Sequence, residues 1–208
     1  EPQSSAWAFL ARALDTANPQ AQLLLLAAAK RFLQTDRSEQ AAVVLAQTQG
    51  ENSEPWALNQ HKLLTAALRL TENAPSAAWR LLSDTENTDL DKSQWQLLYD
   101  LKLQSLFAQE KHQEALALIR SLPLKDSVSA DIDVLLRGVF DRLLRLTTEQ
   151  LDLLQLHPDL VQEDRGWIDL ARLYGRAGWE LESLRQELDA WSVEHPAHHA
   201  TPIARNLW

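Results

Sequence analysis

At 208 residues, 45% hydrophobic and with only five glycines, the chain is long and apolar enough to pack, and its Leu and Ala content favours helix. A net charge of −9 with no basic run argues against nucleic-acid binding, which needs clustered Lys and Arg. The absence of cysteine excludes disulfides, thiolate metal sites and a cysteine nucleophile, and no stretch approaches the ~18 apolar residues of a membrane-spanning helix.

Residues 4–16 read as a first helix with Trp7, Leu10 and Leu14 on its apolar face. Asn18-Pro19 supplies a cap followed by proline at the first helical position, and predicts a helix to about residue 34. A turn at 35–37 leads to a partner helix over 38–48, and Gly50 to Ser53 end that pair. A second pair over 54–71 and 75–84 opens on Pro55, and a third over 91–109 and 112–121 closes on Pro123. The fourth covers 128–145 and 148–156; its second helix starts at a capping box, Thr147 and Gln150 three apart, and stops at His157-Pro158. The fifth covers 163–177 and 179–194, with Gly175 and Gly178 at the turn. Connections this short are those of antiparallel helices. Residues 195–208, with Pro196 and Pro202, read as a linker or capping tail. The missing methionine and the apolar end at Trp208 lead us to expect a piece of a longer protein.

A 37-residue recurrence runs through these pairs. Ala41, Val44 and Leu45 are followed by Ala78, Leu81 and Leu82, then by Ala115, Leu118 and Ile119. Twelve residues before each set lies Ala29, Ala66 or Leu103. Each set falls on one helix face, and a small residue at its head is what close helix–helix approach requires. Ala41, Ala78 and Ala115 are therefore predicted to be buried where the helices of a pair touch. The fold expected is all-α, a tetratricopeptide-like solenoid of about five antiparallel helix pairs over 1–194. The repeat decays C-terminally, to Leu151 and Leu154 and then to Leu181, Leu184 and Leu188.

Such folds bind or position other molecules more often than they catalyse. No phosphate-binding glycine loop, nucleophile elbow or His-Glu-x-x-His is present. His195, His198 and His199 beside Glu194 are the clustered imidazoles; two or three could share a metal ion, but a solvated loop is the plainer reading. The carboxylate pairs Asp131/Asp133 and Glu180/Glu182 read as solvated helix faces and not as a glycosidase pair. Trp56, Trp79, Trp95, Trp167 and Trp191 read as packing between repeats, with sugar stacking the alternative. No catalytic, cofactor-binding or metal-ligating residue is assigned. Carrying the 37-residue frame along the first helix of each pair gives Lys30, Gln34, Gln60, Asp100 and Gln104 as polar partner-binding candidates on the concave side. They form no Lys/Arg/Asn ladder of the kind that clamps an acidic peptide tail.

The C-terminal third carries a family resemblance. Gly166-Trp167-Ile168-Asp169-Leu170 is similar to a Gly-Trp-Leu-Asp-Leu stretch, and Trp191, His195-Pro196, Ala200, Pro202 and Leu207 are similar to the tail that follows it, with His195 where that pattern has tyrosine. The chain resembles in this the LpoA family, outer-membrane lipoprotein activators of class A penicillin-binding proteins in Gram-negative bacteria. The resemblance implies a tetratricopeptide-like domain of a periplasmic, outer-membrane-anchored protein. It would stimulate a peptidoglycan synthase without doing chemistry, with peptidoglycan itself as a further candidate partner. In the family the lipidated cysteine and a substrate-binding-protein-like C-terminal domain, which contacts the synthase, lie outside this stretch. The helical domain would then extend the anchored protein across the periplasm, and by itself bind the synthase weakly. A general tetratricopeptide-type adaptor and the helical part of a lytic transglycosylase are the competing readings.

Overall fold

The computed structural model describes residues 19–48, 54–85, 90–122, 130–176 and 181–205. Among them the chain is helical, with no strand, and forms eleven helices: α1 (Pro19–Gln34), α2 (Ser38–Leu45), α3 (Pro55–Thr71), α4 (Pro75–Ser83), α5 (Lys92–Ala108), α6 (His112–Arg120), α7 (Ala130–Leu143), α8 (Thr148–Gln155), α9 (Gln162–Arg176), α10 (Leu181–Glu194) and α11 (Thr201–Arg205). The expected spans are met to within a few residues. The expected helix over 4–16, Gly50, Pro123, Gly178 and Trp208 lie outside the described residues. None of the described helices is long and apolar enough to cross a membrane. The chain divides into two compact units, Glu1–Gln109 and Glu110–Trp208.

In the first unit, α1 packs on α2, α3 on α4, and α4 on α5, while α1, α3 and α5 also meet in succession. The turns explain why. Asp36 and Asn73 take the left-handed conformation, φ 55° and 57°, just after α1 and α3. The Arg37 N–H then reaches back to the Phe32 carbonyl (2.9 Å) and the Ala74 N–H to Arg69 (2.8 Å), while Asp36 and Asn73 donate to Leu33 and Leu70. This is the Schellman closure of a helix end, and Asp and Asn tolerate its left-handed residue better than most side chains. Glu110, again 37 residues on, repeats the conformation at φ 59°.

One residue past each turn the next helix begins, and its first full-turn hydrogen bonds are donated by Ala41, Ala78 and Ala115 to Arg37, Ala74 and Lys111. All three alanines are fully buried, as are Ala29, Ala66 and Leu103. The small residue stands where the chain has just reversed and the two helices are closest. The core of this unit is a chain of clusters. On one side Ala57, Leu64 and Leu68 of α3 join α1 and α2; on the other Leu63 and Ala66 join α4 and α5.

In the second unit α9 is the hub, touching α6, α7, α8 and α10. Arg120 at the end of α6 bonds the Asp164 carboxylate at 2.7 Å, Gln155 of α8 donates to Asp169, Arg172 pairs with Asp152, and Phe140 meets Tyr174 edge-on. Asp164 is buried, which raises its carboxyl pKa; the Val161 N–H and the Arg120 guanidinium oppose that rise. The expected Thr147–Gln150 capping box caps α8 with both reciprocal bonds present. Residues 195–205 are packed: α11 lies on α10 and α7, burying Ala200, Thr201, Ile203 and Ala204.

Candidate functional site

An open groove of about 360 Å³ crosses α1, α3 and α5 in the first unit. From α1 come Lys30, Leu33 and Gln34; from α3, Leu64, Ala67, Leu70 and Thr71; from α5, Leu97, Asp100, Leu101 and Gln104. Its residues are repeat equivalents. Lys30, Ala67 and Gln104 stand 37 apart, as do Leu33 and Leu70, Gln34 and Thr71, and Leu64 and Leu101. One helix face presented three times therefore builds one surface. The floor is leucine with Ala67 at its centre, and the rim is polar.

Lys30 and Gln34 on α1 and Asp100 and Gln104 on α5 thus line one groove, and Gln60 does not join them. Gln60 is buried, and its side-chain carbonyl accepts from Gln94 at 3.3 Å. Its repeat equivalent Leu97 lines the groove, so the frame alone does not set Gln60 apart; its pairing with Gln94 does. The floor is apolar where the sequence points to polar positions, and the same 37-residue frame reaches it at Ala67.

A polar lock holds α3 and α5 at the spacing the groove needs. Asp91 caps α5, accepting from the Gln94 N–H at 2.8 Å, while Gln94 returns a bond to the Asp91 N–H. The second carboxylate oxygen of Asp91 accepts from the Trp56 indole at 2.6 Å, and the Gln94 amide donates to the Trp56 carbonyl at 2.9 Å. The Gln94 N–H and then the Trp56 indole hold the Asp91 carboxyl below the usual carboxylate range. Ser105, fully buried in α5, ties down α4 by donating to the Pro75 carbonyl at 2.7 Å. Asp91→Ala removes the cap and the indole's acceptor together. We expect it to cost about 1–2 kcal/mol in chemical denaturation, and a loss no larger than that of an exposed control such as Lys92→Ala would show that the lock carries no stability.

The second unit holds the residues that carry the family resemblance. Trp167 of α9 and Trp191 of α10 are buried and both meet the His198 ring edge-on, with centroids at 5.7 and 5.2 Å. His195 stacks on Trp191 at 4.7 Å. The His198 Nδ1 accepts from the Ala200 N–H at 3.0 Å, so Nε2 carries the proton and donates to the Glu163 carbonyl at 2.6 Å. Both nitrogens are engaged, which leaves no lone pair for a metal, and His199 Nδ1 faces the Glu163 carboxylate at 2.6 Å. Among the described residues no group of three or more His, Asp or Glu is arranged to hold a metal ion. Asp133 and Glu182 are exposed; Glu180 and the Asp131 side chain lie outside the described residues. A second hollow, of about 320 Å³ beside α6 and α8, has Leu153 and Leu154 as its whole apolar wall.

Burial is the main cause that lowers the His198 pKa; the Glu163 carbonyl and carboxylate oppose it, and His195 and His199 add to the lowering. The unfolded chain takes up the proton near pH ~6.5 while the folded chain resists it, so this group's contribution is full above that value and is lost as pH falls below it. We expect the stability of the wild-type protein to fall between about pH 7 and 5 more steeply than that of His198→Gln. Parallel denaturation curves for the two proteins would exclude His198 as the sensitive group.

Comparisons with known proteins agree with the features above. The family described as "LppC putative lipoprotein" matches residues 1–205. The protein described as penicillin-binding protein activator LpoA is 25% identical over 200 residues in Vibrio cholerae, covering 96% of this chain and 33% of that protein. Its counterpart in Edwardsiella piscicida is 27% identical over 187 residues, covering 86% of this chain and 25% of that protein. The chain thus spans about a third or less of the length of these relatives. Among solved structures, the LpoA N-terminal domain from Haemophilus influenzae matches with a TM-score of 0.72 at 17% identity, covering 96% of this chain and 88% of that one. The amino-terminal domain of E. coli LpoA matches with a TM-score of 0.63 at 16% identity, covering 96% and 87%.

Proposed function

The chain belongs to the LppC lipoprotein family, and from that membership we propose that it is the helical interaction domain of an activator of a class A penicillin-binding protein, with the groove across α1, α3 and α5 as its docking surface. The observation that carries the docking role is the convergence of Lys30, Gln34, Asp100 and Gln104 around an open apolar floor. The domain catalyses nothing itself and acts by holding a protein partner. The lipoprotein description supports a place in the cell envelope, and the reading extends to a periplasmic domain of an outer-membrane-anchored protein. The names of the relatives favour this reading over a general adaptor or a transglycosylase accessory domain. It also departs from a pure spacer, which would need length but no groove.

Ala67→Glu in the full-length protein is the test. A charge at the centre of the floor should remove most of the stimulation of the purified synthase, by about tenfold or more, because a buried unpaired carboxylate is costly. Circular dichroism must show the variant folded. A folded Ala67→Glu protein that stimulates the synthase as wild type does, in solution and in cells, would overturn the docking role.

A further inference from the structure

We infer that this groove receives a short amphipathic α-helix of a protein partner, acidic along the flank that meets α1 and able to donate hydrogen bonds, from Arg or Lys, along the flank that meets α5. The inference rests on the groove being the docking surface. Its basis is what the walls offer a ligand.

All three walls are helices, whose backbone groups bond within themselves. The polar side chains are largely engaged as well. The Thr71 hydroxyl donates to the Leu68 carbonyl at 2.7 Å, and the Gln104 amide donates to the Asp100 carboxylate at 2.8 Å. An extended segment laid here would lose water from its own N–H and C=O groups and find few replacements, at a cost for each. A helix brings its backbone already paired. The floor fits one: Leu64, Ala67 and Leu70 form a row at three-residue steps along α3, flanked by Leu33 and by Leu97 and Leu101. From Leu64 to Thr71 is about 10 Å at ~1.5 Å per residue, which accommodates two turns of a docked helix. Ala67 leaves room at the centre for one bulky side chain. The charges select the flanks. Lys30 on α1 is exposed, with its charge felt by Asp91 at the start of α5, and Asp100 stands opposite on α5.

Three fluorescent peptides of about three helical turns test this on the full chain. The first is a hydrocarbon-stapled helix with leucine at i, i+3, i+4 and i+7, glutamate on one flank and arginine on the other. The second has the same composition with two central prolines. The third is the stapled helix with both flanks basic. We expect the first to bind at least about tenfold tighter than the second, and Lys30→Glu to reverse the preference between the first and the third. Lys30 is exposed, so that variant keeps its fold. A proline peptide that binds as well as the stapled one, or a Lys30→Glu protein that keeps the wild-type preference, overturns the inference. So does failure of every stapled probe to bind while Ala67→Glu still abolishes stimulation; the groove would then dock something other than a helix, and the docking role would stand. Stimulation unaffected by Ala67→Glu would instead remove the docking role itself.

Discussion

Gly166→Ala should destabilise the second unit by about 2–4 kcal/mol, from overpacking together with a lost hydrogen bond. An added Cβ would lie 2.5 Å from His198 Nε2 and 2.8 Å from Cδ2. The ring cannot step aside cheaply. Ala200 and Glu163 hold its two nitrogens, and Trp167 and Trp191 flank it. The methyl group must therefore break the Nε2–H bond to the Glu163 carbonyl or push α11 off its seat. Chemical denaturation reads the loss directly. His198→Ala should relieve much of it, so the double variant should fall short of the sum of the single costs. An unchanged midpoint for Gly166→Ala would mean that the ring is not held as described.

Ala78→Leu should cost about 1–3 kcal/mol. Ala78 is fully buried one turn after the chain reversal at Asn73, packed among Leu63 and Ala66 of α3 and Leu98 and Leu101 of α5. Three more carbons have nowhere to go, because α3 and α5 are themselves fixed to each other through Asp91, Trp56 and Gln94. A melting temperature within about a degree of wild type would show that this contact is looser than the structure has it.

These two positions mark what the sequence discloses and what it hides. Ala78 is legible because its repeat equivalents, Ala41 and Ala115, answer the same local need 37 residues away in each direction. The groove is half legible for the same reason. Its polar rim follows from the frame, whereas its apolar floor looks in the sequence like any other core face, since lining a groove and filling a core ask for the same residue types. Gln60 shows the converse: a polar residue carried inward because Gln94 satisfies it, a pairing across 34 residues that no local pattern announces. Gly166 and His198 are further still from legibility. They meet only because residues 195–205 fold back, ending in α11, and a stretch with two prolines reads as a linker until its partner surface is known.

The order in which helices touch also sets how the two units reach their folds. In the first unit the main packing joins a helix to its first or second neighbour in the chain, so most contacts close loops of about one repeat. Assembly can start at any pair and spread, with a modest entropic cost at each step. In the second unit α11 must find α7 across the whole of α8, α9 and α10, and Arg120 must find Asp164 across 44 residues. Longer closures precede any reward there, and rates fall as contacts become less local. The first unit is accordingly the quicker to form. The second completes itself only when its last segment docks, and a chain interrupted before His198 would leave the Trp167 and Trp191 rings without the imidazole that both meet.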